Sequence, residues 1–126
     1  MSAVNLWAAW IGIAAGMASG AVMGLFFDRE GWLGGYGTWP RRLLRLGHVS
    51  FFGLAFLNLA YAATVGLVGE PAAGTLISWL LVAGAVLMPA TCALAAWRKP
   101  FRHLFFIPVL TLASATGLLI NGGLSA

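Results

Sequence analysis

The chain has 126 residues, of which 61% are hydrophobic and 8% are charged, and its formal net charge is +4. A soluble domain of this length would need far more polar surface, whereas a mean hydropathy of +0.94 is typical of a membrane protein. The basic residues cluster between apolar segments, so the positive charge does not indicate a nucleic-acid partner. Composition therefore argues against a soluble globular domain and predicts the lipid bilayer as the main partner of the chain.

Four apolar runs without Asp, Glu, Lys or Arg divide the sequence. They cover residues 6–27, 46–69, 71–97 and 103–126, and each is long enough for the ~20 residues with which a helix crosses about 30 Å of hydrocarbon. The first run exceeds the ~7–15 apolar residues of a signal peptide and no Lys or Arg precedes it, so we expect a true span. The prediction is a single all-α transmembrane domain over residues 1–126, with spans at about 6–27, 46–68, 72–97 and 103–121.

The charges between the runs predict how the spans are oriented. The first connection, residues 28–45, has four Arg against two acidic residues, and the third, residues 98–102, has two Arg and one Lys with no acid. The second connection carries only Glu70. Because basic loops stay on the cytoplasmic side, the sequence predicts an up-down-up-down four-helix bundle with both termini non-cytoplasmic. The general character is that of a small multi-pass protein of a bacterial inner membrane.

A ridge of glycines runs along the first span, and we call it the glycine ridge. Gly12, Gly16, Gly20 and Gly24 recur at every fourth position and therefore share one side of a helix. Such a ridge lets another backbone approach closely. It serves either packing against a helix of the same chain, which is the commoner use of this pattern, or an interface with another subunit.

The second span combines a basic entrance with a deeper polar pair. Pro40 favours a helix start, and Arg41, Arg45 and His48 then fall on one side. The preceding loop is rich in glycine and aromatic residues and is expected to lie at the membrane surface. About three turns deeper lie the polar residues Asn58 and Tyr61. An amide in hydrocarbon usually bonds a neighbouring helix, so we interpret Asn58 as an interhelical contact.

Few residues are available for chemistry. None of the four runs carries an acidic or basic side chain at depth, which argues against proton-coupled transport and voltage sensing. The sequence contains no H-E-x-x-H or C-x-x-C motif, and Cys92 is the only cysteine. We therefore expect no independent catalytic activity.

The two histidines form the one constellation that predicts a cofactor. His48 and His103 both lie near the expected cytoplasmic ends of their spans. If the second and fourth helices are diagonal, with neighbours ~8–10 Å apart, the gap between them is about 11–14 Å. That gap fits a haem b whose iron is held by both imidazoles, with Arg45 and Arg102 as partners for the propionates. A quinone headgroup held by the same residues is an alternative.

Two further interpretations of these residues remain open. Asp28 and Glu30 share the histidines' side of the membrane, so a metal site drawing on all four residues is conceivable. Histidine is also common at membrane interfaces without any ligand.

The favoured function is a non-enzymatic accessory or anchor subunit of a membrane complex, for example a respiratory one. It would pack with other membrane subunits, or with a second copy, through the glycine ridge. The alternative is an electron-transfer protein with bis-histidine haem b, or a quinone-interacting membrane protein.

Overall fold

Four helices build the fold in the computed structural model, which describes residues 2–124. α1 spans Ser2–Phe26, α2 Trp39–Val68, α3 Gly74–Trp97 and α4 Phe106–Leu118. A 3-10 segment, Lys99–Phe105, leads into α4, and a π-helical turn, Leu119–Gly123, follows it. Counted with these extensions, each of the four is long and apolar enough to cross a membrane. The prediction of an all-helical chain with four helices long and apolar enough to span a membrane is confirmed.

Helix α2 begins earlier than its apolar run. It starts at Trp39 instead of near residue 46, because Pro40 is suited to the first turn, where a backbone N–H has no helical partner to lose. The indole Nε1 of Trp39 donates to the carbonyl of Ala95, 2.7 Å away, and so joins the start of α2 to the end of α3. The basic entrance is therefore helical and fixed against a neighbouring helix.

The glycine ridge of α1 packs against α2 within the same chain. Three of its four glycines lie so close to α2 that an added Cβ would meet a side chain at 3.0 Å or less. The pairs and distances are Gly12 with Cβ of Ala55 at 3.0 Å, Gly16 with the ring of Phe52 at 2.7 Å, and Gly20 with Cε1 of His48 at 2.6 Å. A Cβ added at Gly24 would meet no atom of another described helix within 4 Å. Most of the ridge is thus occupied inside the chain.

A buried polar network joins α1, α2 and α3 near one end. Asn5, Asn58 and Ser78 are fully buried. The Asn5 amide donates to Oδ1 of Asn58 at 2.8 Å, and the Ser78 hydroxyl donates to Oδ1 of Asn5. The Asn58 amide donates in turn to the carbonyl of Leu81 on α3 at 3.3 Å. Asn58 therefore makes interhelical hydrogen bonds, as we interpreted it from the sequence.

Helix α4 lies on the opposite side of α3 from α1. Helix α4 packs against α3, and a small apolar core of Ile77, Leu81 and Ala115 lies there together with Tyr61 of α2. Pro108 is buried near the start of α4. α1 meets α3 directly through Asn5 and Ser78. The first three helices consequently form a triangle with α4 outside it, which differs from a square bundle in which α2 and α4 are diagonal.

The connection between α1 and α2 folds around one arginine. Arg41 is only 2% exposed, and its guanidinium lies 5.2 Å from the ring centroid of Trp32 and 5.9 Å from that of Tyr36. Its Nη2 donates to the carbonyl of Arg29 at 3.1 Å. Within residues 2–124, its Nε has no hydrogen-bond partner. Cation–π contacts with several rings therefore fix this loop on the end of α2.

Candidate functional site: an apolar cleft beside His48

An apolar cleft of about 850 Å³ lies between α1, α2 and α3. It exists because its walls carry small side chains where α1 and α3 face each other. These small lining residues are Ala8, Gly12, Ala15 and Ala18 on α1, Gly47 on α2, and Ala85, Ala90 and Ala93 on α3. Larger apolar residues, among them Phe51 and Trp32, complete the lining. We call this space the α1/α3 cleft.

The α1/α3 cleft is open to the outside of the protein along one side. On the α1 wall Ile11 and Val22 are exposed, and on the α3 wall Val86 and Ala90 are exposed. In the part of the chain that the structure describes, α4 packs on the side of α3 that faces away from α1. It therefore does not cover this opening. A molecule dissolved in the hydrocarbon of a membrane would have lateral access to the cleft.

His48 and Ser19 supply polar groups to the lining of this cleft. The Ser19 hydroxyl lies 2.9 Å from Nδ1 of His48 and 3.0 Å from the carbonyl of Gly16. The imidazole rests on Gly20, and its ring meets Phe52 edge-on with centroids 5.5 Å apart. Glycine at position 20 is what allows the ring to lie against the α1 backbone.

The two bonds of Ser19 determine which nitrogen of a neutral His48 carries the proton. A hydroxyl has one proton to donate, and the Gly16 carbonyl can only accept. Both bonds therefore form together only when Nδ1 carries the proton and donates it to Oγ of Ser19. This assignment comes from the hydrogen-bond pattern. It leaves Nε2 as a lone-pair acceptor, and no hydrogen bond to Nε2 occurs among residues 2–124.

His103 lies away from this cleft. It is exposed in the 3-10 segment Lys99–Phe105, and that segment packs against α3. His48 instead rests on α1, at the α1/α2 contact. Within residues 2–124 no hydrogen bond or ring contact joins the two imidazoles, and the bis-histidine haem b stays a prediction.

The arginines named as propionate partners have other neighbours here. Arg45 lies 4.1 Å from the ring centroid of Tyr36, in the aromatic loop around Arg41. Arg102 is exposed, and its Nη1 donates to the carbonyl of Lys99 at 3.4 Å. Neither contact points to a shared anionic ligand.

A metal site of three or more ligands has no counterpart in the described residues. Within residues 2–124 no group of three or more His, Cys, Asp or Glu side chains is arranged to hold a metal ion. The interpretation that combined Asp28, Glu30, His48 and His103 therefore gains no geometric support.

Sequence reasoning did not identify several residues of the site. Ser19 sits beside the glycine ridge, and its pairing with His48 follows only once α1 and α2 are known to meet at Gly20. Asn5 could have been noted as a second amide at span depth, since Asn58 needed a partner on another helix. The alanines of α3 gave no signal, because small residues are frequent throughout this chain.

Comparison of the chain with models of protein families, with curated proteins and with solved structures finds no match. The function must therefore be argued from the residues and their geometry.

Proposed function

We propose that this protein is a non-enzymatic membrane component that binds a quinone-type molecule from the lipid phase in the α1/α3 cleft. The observation that carries the proposal is the cleft itself. Its volume of about 850 Å³ lies within the ~300–1,000 Å³ of ligand pockets, and its lining is apolar with few polar groups, as such pockets are. His48 and Ser19 are the polar groups available to a headgroup.

The membrane setting is part of the same proposal. The chain crosses a bacterial inner membrane four times in alternating directions, with both termini on the non-cytoplasmic side. Paired contacts support the alternation, because they run in opposite order along neighbouring helices. These pairs are Gly12–Ala55 and Gly20–His48, Gly47–Cys92 and Tyr61–Gly74, and Gly84–Leu112 and Ile77–Ala115.

The basic connections support the proposed orientation. The ammonium of Lys99 lies 5.7 Å from the ring centroid of Trp39, so the start of α2 and the end of α3 are at the same end of the bundle. All seven basic residues belong to these two connections and their flanking helix turns. Under the positive-inside rule this end faces the cytoplasm.

A second candidate function, an accessory or anchor subunit of a membrane complex, uses the same cleft. The glycine ridge serves it less well, since α2 already covers Gly12, Gly16 and Gly20. The alanines on both walls of the cleft favour it instead, because small residues let the backbone of a transmembrane helix approach closely. A partner subunit, or a second copy of the chain, would then place a helix between α1 and α3.

The test is to fill the cleft and ask what the purified protein loses. Phe replaces Ala18 or Ala90, which are exposed residues on the two walls. Ala113→Phe, at an exposed position of α4 outside the cleft, is the matched control. Each variant is purified from membranes in mild detergent, and the extracted lipid-phase molecules and co-purifying proteins are identified by mass spectrometry.

The result expected is a quinone-type molecule that accompanies the original chain and Ala113→Phe but is lost from Ala18→Phe and Ala90→Phe. A defined membrane subunit lost in the same pattern would favour the accessory-subunit function instead. If the original chain and the three variants all retain every bound species equally, the cleft binds neither a quinone-type molecule nor a partner subunit.

A further inference from the structure

The hydrogen-bonding state of His48 restricts the chemistry of a cleft ligand. Ser19 and Gly16 together hold the proton of the neutral imidazole on Nδ1, so Nε2 offers a lone pair and no N–H. His48 is part of the cleft lining. A ligand group that meets Nε2 must therefore donate a hydrogen bond.

The aromatic lining restricts the ligand further. Trp32 and Phe51 line the cleft together with His48. Trp32 is itself held in place, because its ring stacks on Phe26 with centroids 5.3 Å apart and lies against the guanidinium of Arg41. Aromatic side chains in the lining favour a flat aromatic headgroup, which can pack against their rings or ring edges.

From these two restrictions we infer that the cleft selects the reduced, phenolic form of a quinone-type ligand, with the imidazole of His48 accepting a hydrogen bond from the phenol hydroxyl. This inference rests on the proposed function, and it adds the redox form and the residue that recognises it. The oxidised form carries only carbonyl acceptors, which would face the acceptor Nε2. A neutral His48 could bind the oxidised form only as the other tautomer, which would break one of the two bonds of Ser19.

Stable probes test this preference without any redox chemistry. The protein is reconstituted in lipid nanodiscs with 4-dodecylphenol, 4-dodecylanisole or 1-dodecanol, each carrying a diazirine in its alkyl tail. The phenol and the anisole differ only in the methyl group that replaces the hydroxyl proton, while dodecanol keeps a hydroxyl but has no ring. Apparent Kd values come from the concentration dependence of photolabelling, and peptide mapping locates the label.

The phenol is expected to bind at least about fivefold more tightly than the anisole, which corresponds to the ~1 kcal/mol of one net hydrogen bond. Dodecanol is expected to bind more weakly than the phenol, because it lacks the ring that packs against Trp32 and Phe51. Label should appear on cleft residues and disappear in Ala90→Phe.

Two variants assign the preference to His48. His48→Leu removes the acceptor, so the phenol should bind no better than the anisole. Ser19→Ala keeps the imidazole but releases its proton from Nδ1, and the preference for the phenol should shrink while both probes still label the cleft. If His48→Leu does not fold, Ser19→Ala alone still decides the role of the tautomer. An unchanged preference in either folded variant would overturn the assignment.

The outcomes separate this inference from the proposed function. Phenol and anisole binding equally at the cleft of the original chain would overturn the inference and leave the cleft as a binding site. Dodecanol binding as tightly as the phenol would overturn the aromatic part. Labelling by all probes that is unaffected by Ala90→Phe would overturn the proposed function, and the inference with it.

Discussion

Buried amides are the side chains on which the position of α1 relative to α3 depends. Asn5 bonds Asn58 on α2 and Ser78 on α3, and all three residues are fully buried. In hydrocarbon no water replaces a lost partner, so an amide left unpaired carries the cost of its own desolvation. The end of the bundle opposite the basic connections is thereby held closed by hydrogen bonds and not by apolar packing alone.

Replacing Asn58 by Leu should destabilise the protein by about 1–3 kcal/mol, because Asn5 loses a partner in a buried site. The double variant Asn5→Leu with Asn58→Leu should cost less than the sum of the single changes, since neither amide is then left unpaired. Stability is measured by steric trapping in bicelles. Asn121→Leu is the control, because Asn121 is exposed and, among residues 2–124, its side chain bonds only the carbonyl of Gly117, about one turn earlier. Additive costs in the double variant would contradict a shared network.

At the scale of the helices, close approach of α1 and α2 depends on where the glycines stand along the ridge. A Cβ added at Gly12 would lie 3.0 Å from Cβ of Ala55 and 3.3 Å from the carbonyl oxygen of Phe51. Neither of these atoms is the flexible end of a side chain, so the two helices must separate if a larger residue replaces Gly12. A Cβ added at Gly24, on the same ridge, would meet no atom of another helix within 4 Å in residues 2–124.

Gly12→Leu should therefore destabilise the fold by roughly 1–3 kcal/mol through overpacking at the α1/α2 contact. Gly24→Leu is the matched control on the same helix face, and it should be neutral or slightly stabilising, because leucine is the better helix former. Both are measured by the same trapping assay. A destabilised Gly24→Leu together with an unaffected Gly12→Leu would indicate that the ridge contacts something other than α2.

Arg41 holds the connection between α1 and α2 through contacts that depend on the shape of its guanidinium as well as on its charge. A planar guanidinium can face several rings and donate to a carbonyl at once, whereas a lysine ammonium is a point charge. We expect Arg41→Lys to speed amide hydrogen exchange over residues 28–38 by about tenfold, equivalent to ~1.4 kcal/mol of local stability. Arg42→Lys, at the exposed neighbour, should leave the exchange unchanged. Equal exchange in both variants would show that the loop does not need the guanidinium.

Sequence patterns predicted which segments are helices better than they predicted how the helices meet. Long apolar runs between charged connections specify four spanning helices by length and hydropathy alone. The amide of Asn58 within an apolar run also predicted an interhelical contact, since a buried amide needs a partner. It did not identify Ser19 or Ser78, because a small hydroxyl residue looks alike in a lipid-facing and a buried position.

At the scale of the whole molecule, the cleft arises from the placement of α4. Four helices joined by short connections can close into a square, or the fourth can pack outside a triangle of the first three. Here α4 packs on α3 beside the core of Tyr61, Ile77, Leu81 and Ala115, so within residues 2–124 the other side of α1 and α3 is left uncovered. Apolar helix faces of similar composition carry no sequence signal that distinguishes these arrangements. The cleft, and the packing of His48 on α1 and of the His103 segment on α3, therefore could not be predicted from the sequence.

The proposed orientation in the membrane makes a prediction about accessibility from the two sides. In a Cys92→Ala background, single cysteines are placed at Gly31, Glu70 and Lys99, which are exposed residues of the three connections. A membrane-impermeant maleimide added to intact spheroplasts should label only the Glu70→Cys protein, because the basic connections face the cytoplasm. Gly31→Cys and Lys99→Cys should react only after permeabilisation. Labelling of these two with protection of Glu70→Cys would invert the orientation, and labelling of Glu70→Cys and Lys99→Cys from the same side would contradict the alternation of the spans.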